Sequence, residues 1–252
     1  DNHSVSEYTA KNNQKLVFVF TGIGSEYMGM MKDLYQKQNV FRENINKCMK
    51  ILEEITDINF IDILYGEEKY RSSEIQILIF ILEYALAKTL EFYGIKPDIS
   101  IGYSFGEYVA ACLSGVFTLY DALYIIVHRG RLMKKLKGTA MLSVPLNEDN
   151  IKEFIDSKIH LSIINEETCT VSGIVEDLDN LESTLRNKRL ICSKVPAVAG
   201  HCKILKCIEN DFRKILEKVT FNKCSGKYYS AILNKVVTAD EISSPDYWIN
   251  HM

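Results

Sequence analysis

The chain has 252 residues, 47% hydrophobic and 25% charged, with a formal net charge of −3. That composition supports a large soluble core and offers no basic surplus to attract nucleic acid or an anionic membrane. No apolar run approaches the ~20 residues that a membrane-spanning helix needs.

The opening Asp1-Asn2-His3-Ser4 is neither an initiating Met nor a basic-then-apolar leader. Asp1 to Gln14 reads as a polar linker, and the expectation is a domain taken from a longer polypeptide. The run Lys15 to Phe20 then reads as a fully buried strand ending at Thr21-Gly22-Ile23-Gly24-Ser25. Helical periodicity follows from Tyr27 to about Leu64 and again from Ile75 to Tyr93, where Ile75, Leu78, Ile79, Leu82, Ala85 and Leu86 share a face. Pro97 to Gly102 is the second buried strand. Between it and the apolar helix Tyr108–Leu113 stands Gly102-Tyr103-Ser104-Phe105-Gly106-Glu107. Beyond the turn Gly115–Thr118, Thr118 and Asp121 form a capping box for a helix from Leu119 to about Leu136. Strand, helices, strand, helix, helix is the order of a parallel α/β sheet.

From Gly138 to Pro196 the rhythm changes to strand (Ala140–Pro145), helix (Asn147–Asp156), strands (His160–Ile164, Cys169–Ser172), helix (Leu178–Asn187) and strand (Leu190–Val195). This β-α-β-β-α-β order is ferredoxin-like, and it predicts a small inserted subdomain over 138–196. The large subdomain then comprises 15–137 and 197–252, resuming as a helix from His201 to about Val219, a strand over Lys227–Ile232 and a helical turn at Pro245–Met252. The seven cysteines, Cys48, Cys112, Cys169, Cys192, Cys202, Cys207 and Cys224, form no C-x-x-C pair. Free thiols packed in a protein of a reducing cytoplasm are expected.

A G-x-S-x-G between strand and helix is the nucleophile-elbow pattern. A serine forced onto so sharp a turn projects its hydroxyl outward, and flanking glycines let the backbones pass. The helix that starts there turns its unpaired N–H groups toward whatever the serine binds, which suits acyl transfer.

The motif Gly102-Tyr103-Ser104-Phe105-Gly106-Glu107-Tyr108-Val109-Ala110-Ala111 is followed by Gly115-Val116-Phe117-Thr118-Leu119-Tyr120-Asp121-Ala122-Leu123 and by Arg129-Gly130-Arg131-Leu132-Met133. Together with Phe20 to Glu26, Tyr228-Tyr229-Ser230 and Pro245-Asp246-Tyr247-Trp248, these stretches closely resemble the malonyl-CoA:acyl carrier protein transacylases and the acyltransferase domains of polyketide and fatty-acid synthases. The resemblance runs from Lys15 onward. It implies an α/β-hydrolase-like core with a parallel sheet plus the ferredoxin-like insertion, neither cofactor nor metal bound, and malonyl-CoA and a phosphopantetheinylated carrier protein as substrates.

Residue by residue, the resemblance makes Ser104 the nucleophile and His201 its base. It gives the oxyanion hole to the backbone N–H groups of Ile23 and Phe105, although Ile23 stands where Gln is usual and Glu26 where a second Gln is common. His251 would orient His201 through its main-chain oxygen. Arg129 falls where an arginine pairs with the free carboxylate of malonyl-type substrates, Gln76 matches a pocket glutamine, and Arg131 is expected in solvent. Val198-Ala199-Gly200-His201 is neither H-A-F-H, common for malonyl, nor Y-A-S-H, common for methylmalonyl, and Gly200 leaves room for a side branch. Malonyl is the expected unit. Partners would be the carrier protein, the coenzyme A thioester and neighbouring synthase domains. Two alternatives stand beside this reading: an α/β-hydrolase-type thioesterase, which would need an acidic third triad member, and a non-catalytic docking module.

Overall fold

A computed structural model describes residues 14–66, 72–224 and 226–252, so nearly all of the expected linker lies outside the described residues. In chain order the strands are β1 (Val17–Phe20), β2 (Ile99–Gly102), β3 (Thr139–Val144), β4 (His160–Ile164), β5 (Cys169–Ile174), β6 (Ser193–Val195), β7 (Tyr228–Ser230) and β8 (Lys235–Val236). The helices are α1 (Lys32–Lys37), α2 (Asn39–Ile55), α3 (Phe60–Tyr65), α4 (Ser72–Phe92), α5 (Gly106–Leu113), α6 (Leu119–Met133), α7 (Glu148–Ile151), α8 (Val175–Asn187), α9 (Lys206–Leu216), α10 (Ala239–Ile242) and α11 (Pro245–His251).

One sheet has the order β1-β2-β7-β8, parallel across its first three strands, with β8 returning antiparallel at the edge. β1 is half-buried rather than fully buried. Phe18 and Phe20 enter the core while Val17 and Val19 are exposed, because an edge strand packed on one side covers only alternate residues. α4 is buried all round by contrast, Ile77, Phe80 and Ile81 being as covered as the expected face, since α2, α5 and α6 all pack against it.

Two helical stretches break where the backbone turns extended or left-handed. Tyr27 to Leu64 becomes three helices, interrupted at extended Gln38 and Thr56, and α3 is capped by Asn59, whose side chain accepts from the Ile61 N–H. The helix expected from His201 begins only with a short 3₁₀ turn at Lys203, because His201 is left-handed (φ 50°) and Cys202 extended. Thr118 caps α6 as read, accepting from the Asp121 N–H at 3.0 Å.

The second sheet has the order β4-β5-β3-β6, antiparallel throughout. That is the order a ferredoxin-like β-α-β-β-α-β chain produces. It has its own core of Leu142, Val144, Ile151, Val171, Leu178 and Leu185. The seven cysteines are free thiols, with Cys48, Cys112 and Cys169 buried. No helix among the described residues is long and apolar enough to cross a membrane.

Candidate active site

Phe20 of β1 pairs with Gly102 of β2, so the chain leaves both parallel strands side by side at their carboxyl ends. In open parallel sheets that is where ligands bind. Tyr103 stays tied to β1 through its N–H to Phe20 O (2.8 Å), and Ser104 then turns with φ 51° before α5 begins. A non-glycine residue in this region costs on the order of 1–3 kcal/mol and persists only where its surroundings impose it. Here they do. A Cβ on Gly102 would lie 2.1 Å from the Glu107 nitrogen, and one on Gly106 2.4 Å from Phe20 O, so only glycines let the elbow close.

Ser104 Oγ lies 2.6 Å from His201 Nε2, and His201 Nδ1 lies 3.0 Å from the main-chain oxygen of His251. A carbonyl can only accept, so Nδ1 carries the proton and Nε2 is left as the acceptor facing the serine hydroxyl. Burial, with help from His251 and Arg129, pushes the His201 pKa down to about 4, so the imidazole is neutral at pH 7. The structure thus pairs a hydroxyl with an unprotonated base of the correct tautomer, oriented by a carbonyl rather than by a carboxylate.

The side chain of His251 does something the sequence did not signal. Its Nε2 donates to Ser104 O at 3.0 Å, bracing the elbow from beneath, while its Nδ1 is buried without a partner among the described residues. Burial and Arg129 lower its pKa to about 3, so it is neutral, and its 3.8 Å approach to Glu107 is no ion pair at pH 7. Glu107 is also fully buried. It accepts from the hydroxyls of Tyr228 and Tyr247 and from the Ala231 N–H, which ties α5 to β7 and α11. Burial raises its pKa against those bonds.

A cavity of about 570 Å³ opens between the two sheets, lined by Ser104 and His201 together with Ile23, Gln76, Phe105, Arg129 and Gly200. Small-molecule sites fall in this size range. The N–H groups of Ile23 and Phe105 donate to no acceptor among the described residues. Arg129 is only 5% exposed; it donates to Gln76 Oε1 at 2.5 Å and lies over the rings of Phe105 and Tyr108 at 5.9 and 5.8 Å. Its Nε has no partner, and no carboxylate among the described residues pairs with it. A buried guanidinium on a cavity wall keeps a desolvated charge that a carboxylate, given room in the cavity, would neutralise. Arg131, by contrast, is exposed and bonds to Ile55 O.

The small sheet contributes too. Thr139 of β3 accepts from the Ala199 N–H and Ser172 of β5 donates to Gly200 O, so the loop into His201 is pinned from across the cavity. A methyl on Gly200 would meet Met141 Sδ at 3.4 Å, an ordinary contact.

Residues 17–252 match the family described as the acyl transferase domain. The chain belongs to that family. Among curated relatives, this acyl transferase domain is 34% identical over 93% of its length to the non-reducing polyketide synthase Dhc5 of Alternaria cinerariae, and spans 12% of that protein. The non-reducing polyketide synthase tpeB of Talaromyces stipitatus, 30% identical over 94% of this chain, is likewise several times longer, this chain spanning 11% of it. Among solved structures, the acyl transferase domain of ZmaA is 36% identical with a TM-score of 0.85, 96% of this chain matching 58% of that one. The acyl transferase domain of SpnD, solved with 2-(pent-4-yn-1-yl)malonyl, is 28% identical with a TM-score of 0.91, over 98% of this chain and 61% of that one.

Proposed function

We propose that this domain moves a malonyl group from coenzyme A, through an ester on Ser104, to the phosphopantetheine thiol of an acyl carrier protein. It would do so within a cytoplasmic polyketide- or fatty-acid-type synthase, beside neighbouring synthase domains and without a resident cofactor. The observation that carries the reading is Arg129: a buried, anion-less guanidinium in the same cavity as a serine–histidine pair selects an acyl group that ends in a carboxylate. The long polyketide synthases among its relatives and the malonyl ligand of the SpnD domain support the same chemistry.

In the forward half-reaction Ser104 Oγ attacks the thioester carbonyl as His201 Nε2 takes its proton. The carbonyl oxygen becomes an oxyanion received by the Ile23 and Phe105 N–H groups. Collapse breaks the carbon–sulfur bond, and the proton on His201 passes to the departing thiolate. The second half-reaction runs in reverse, with the carrier thiol giving its proton to His201 and displacing Ser104. A thioesterase reading loses its main support, since the partner of His201 Nδ1 is a backbone carbonyl rather than an acid.

Incubation with malonyl-CoA and a phosphopantetheinylated carrier protein tests this. The expected result is malonyl on the carrier, with free malonate appearing far more slowly. Malonate released as fast without carrier as malonyl is transferred with it would make the domain a hydrolase. In competition, faster loading of methylmalonyl than of malonyl would overturn the choice of unit.

The lowered pKa of His201 sets the acid limit. The base works only when neutral, and protonation begins as pH falls toward about 4 instead of 6.5. Acylation after a rapid pH jump is therefore expected to stay level from pH 8 to about 5, then to drop about tenfold per unit below pH 4. A midpoint near 6.5 would mean that His201 is not held in this desolvated form.

A further inference from the structure

α4 carries a second polar residue on the side of Gln76. Glu83 lies seven residues on, two turns or about 10 Å along the axis. Its Oε1 accepts both the N–H and the hydroxyl of Thr21, each at 2.7 Å. Its Oε2 is buried without a partner among the described residues, and burial lifts its pKa to about 7 in spite of the two bonds from Thr21. Thr21 is the first residue after β1 and opens the loop Gly22-Ile23-Gly24. Gly22 packs against Tyr103 and Ser104 and Ile23 against the core, but the loop's other hydrogen bonds among the described residues run within 21–26, and Gly24 is left-handed (φ 109°) with nothing within 4 Å of its would-be Cβ, so the bonds to Glu83 tie the loop to α4.

We propose that Glu83 is a positioning residue for the oxyanion loop, holding the Ile23 N–H at its distance from Ser104 by anchoring Thr21 to α4. This rests on the reading of Ser104 as an acylated nucleophile and of the Ile23 N–H as an oxyanion donor. The same helix then fixes both ends of the acyl group. Gln76 steadies Arg129 at the carboxylate end, and Glu83, two turns away, steadies the donor at the thioester carbonyl. A half-buried carboxylate with one orphan oxygen is a costly way merely to finish a strand, whereas an oxyanion hole gains from any anchor that removes the need to reorganise.

The test compares Glu83→Leu, Glu83→Gln and Thr21→Val with the unaltered protein. It follows single-turnover acylation by malonyl-CoA, the KM for malonyl-CoA and labelling of Ser104 by a fluorophosphonate, whose transition state uses the same oxyanion hole. Glu83→Leu is expected to slow acylation and fluorophosphonate labelling together by about 10- to 100-fold, within the reach of losing one donor. KM and the preference for malonyl over acetyl should stay within about twofold, because Arg129 is untouched. Glu83→Gln, whose amide oxygen still accepts from Thr21, should recover most of the rate. Should Glu83→Leu fail to fold, Thr21→Val, which removes the hydroxyl's bonds to Glu83 and Ser25 but keeps the N–H bond to Glu83, decides by a smaller parallel loss in both reactions, with Ser25→Ala as the control for the Ser25 bond. Unaltered rates in the folded variants, or a rise in KM in place of a fall in rate, overturn the proposal. An unaltered protein that labels with fluorophosphonate but not with malonyl-CoA overturns the malonyl reading and leaves the Glu83 comparison standing on the fluorophosphonate rates. One that labels with neither overturns both.

Discussion

Replacing Ser104 by Ala is expected to abolish the covalent malonyl adduct, read by intact mass after incubation with malonyl-CoA, while the fold persists. The left-handed backbone at this position is no more strained with Ala than with Ser, and the bonds that impose the turn come from neighbours: His251 Nε2 to Ser104 O, and the Glu107 N–H to the same oxygen at 3.1 Å. His201→Ala should keep the hydroxyl but lose its base, slowing acylation on the order of 10²- to 10⁴-fold. The double variant should be no worse than Ser104→Ala, because residues that act on one proton transfer are not additive. A surviving adduct in Ser104→Ala would mean that another nucleophile carries the acyl group. Cys202, half-buried beside His201, is the first to check, by peptide mapping.

The parts of this site that the sequence reveals are those with local causes. The elbow is written in Gly102 and Gly106, where a side chain would collide with the start of α5 in the first case and with Phe20 and Thr21 of the neighbouring strand end in the second. The small sheet is legible in the β-α-β-β-α-β succession of apolar and helical runs between Gly138 and Pro196. The spread of Tyr27–Leu64 over three helices was not legible, since the breaks at Gln38 and Thr56 are backbone choices in a stretch that is helical by periodicity. Nor was the start of α9, where His201 takes a left-handed conformation held by distant contacts, its ring to Ser104 and His251 and its N–H to Met252 O. The same holds for Glu107, Glu83 and the His251 side chain. Their partners lie 124, 62 and 147 positions away in Ala231, Thr21 and Ser104, distances at which a single chain carries no pattern to read.

Arg129→Ala should invert the acyl preference rather than simply weaken the protein. In the native cavity the guanidinium is desolvated, donates to Gln76 and has an Nε without a partner among the described residues, and on the proposed function its planar fork would take the two oxygens of the malonyl carboxylate. Removing one partner of a buried charge pair costs about 2–5 kcal/mol, or about 30- to 5000-fold, and that is the expected loss in kcat/KM for malonyl-CoA. Acetyl-CoA has no carboxylate to lose. In the native protein it leaves the guanidinium facing an apolar methyl, a penalty that the alanine variant removes, so its acylation should rise severalfold. The two changes act in opposite directions on the ratio of rates, which a mixture of the two acyl-CoAs reads from one mass spectrum of the Ser104 ester. Arg129→Lys retains the charge without the fork and should fall between them, because an ammonium meets a carboxylate as a point and cannot reproduce both hydrogen bonds. Malonyl outcompeting acetyl as before in Arg129→Ala would remove the carboxylate receptor from Arg129. The selectivity would then have to come from the rest of the cavity, whose lining offers the backbone N–H groups and the rim lysines Lys134 and Lys137 as its other donors to an anion.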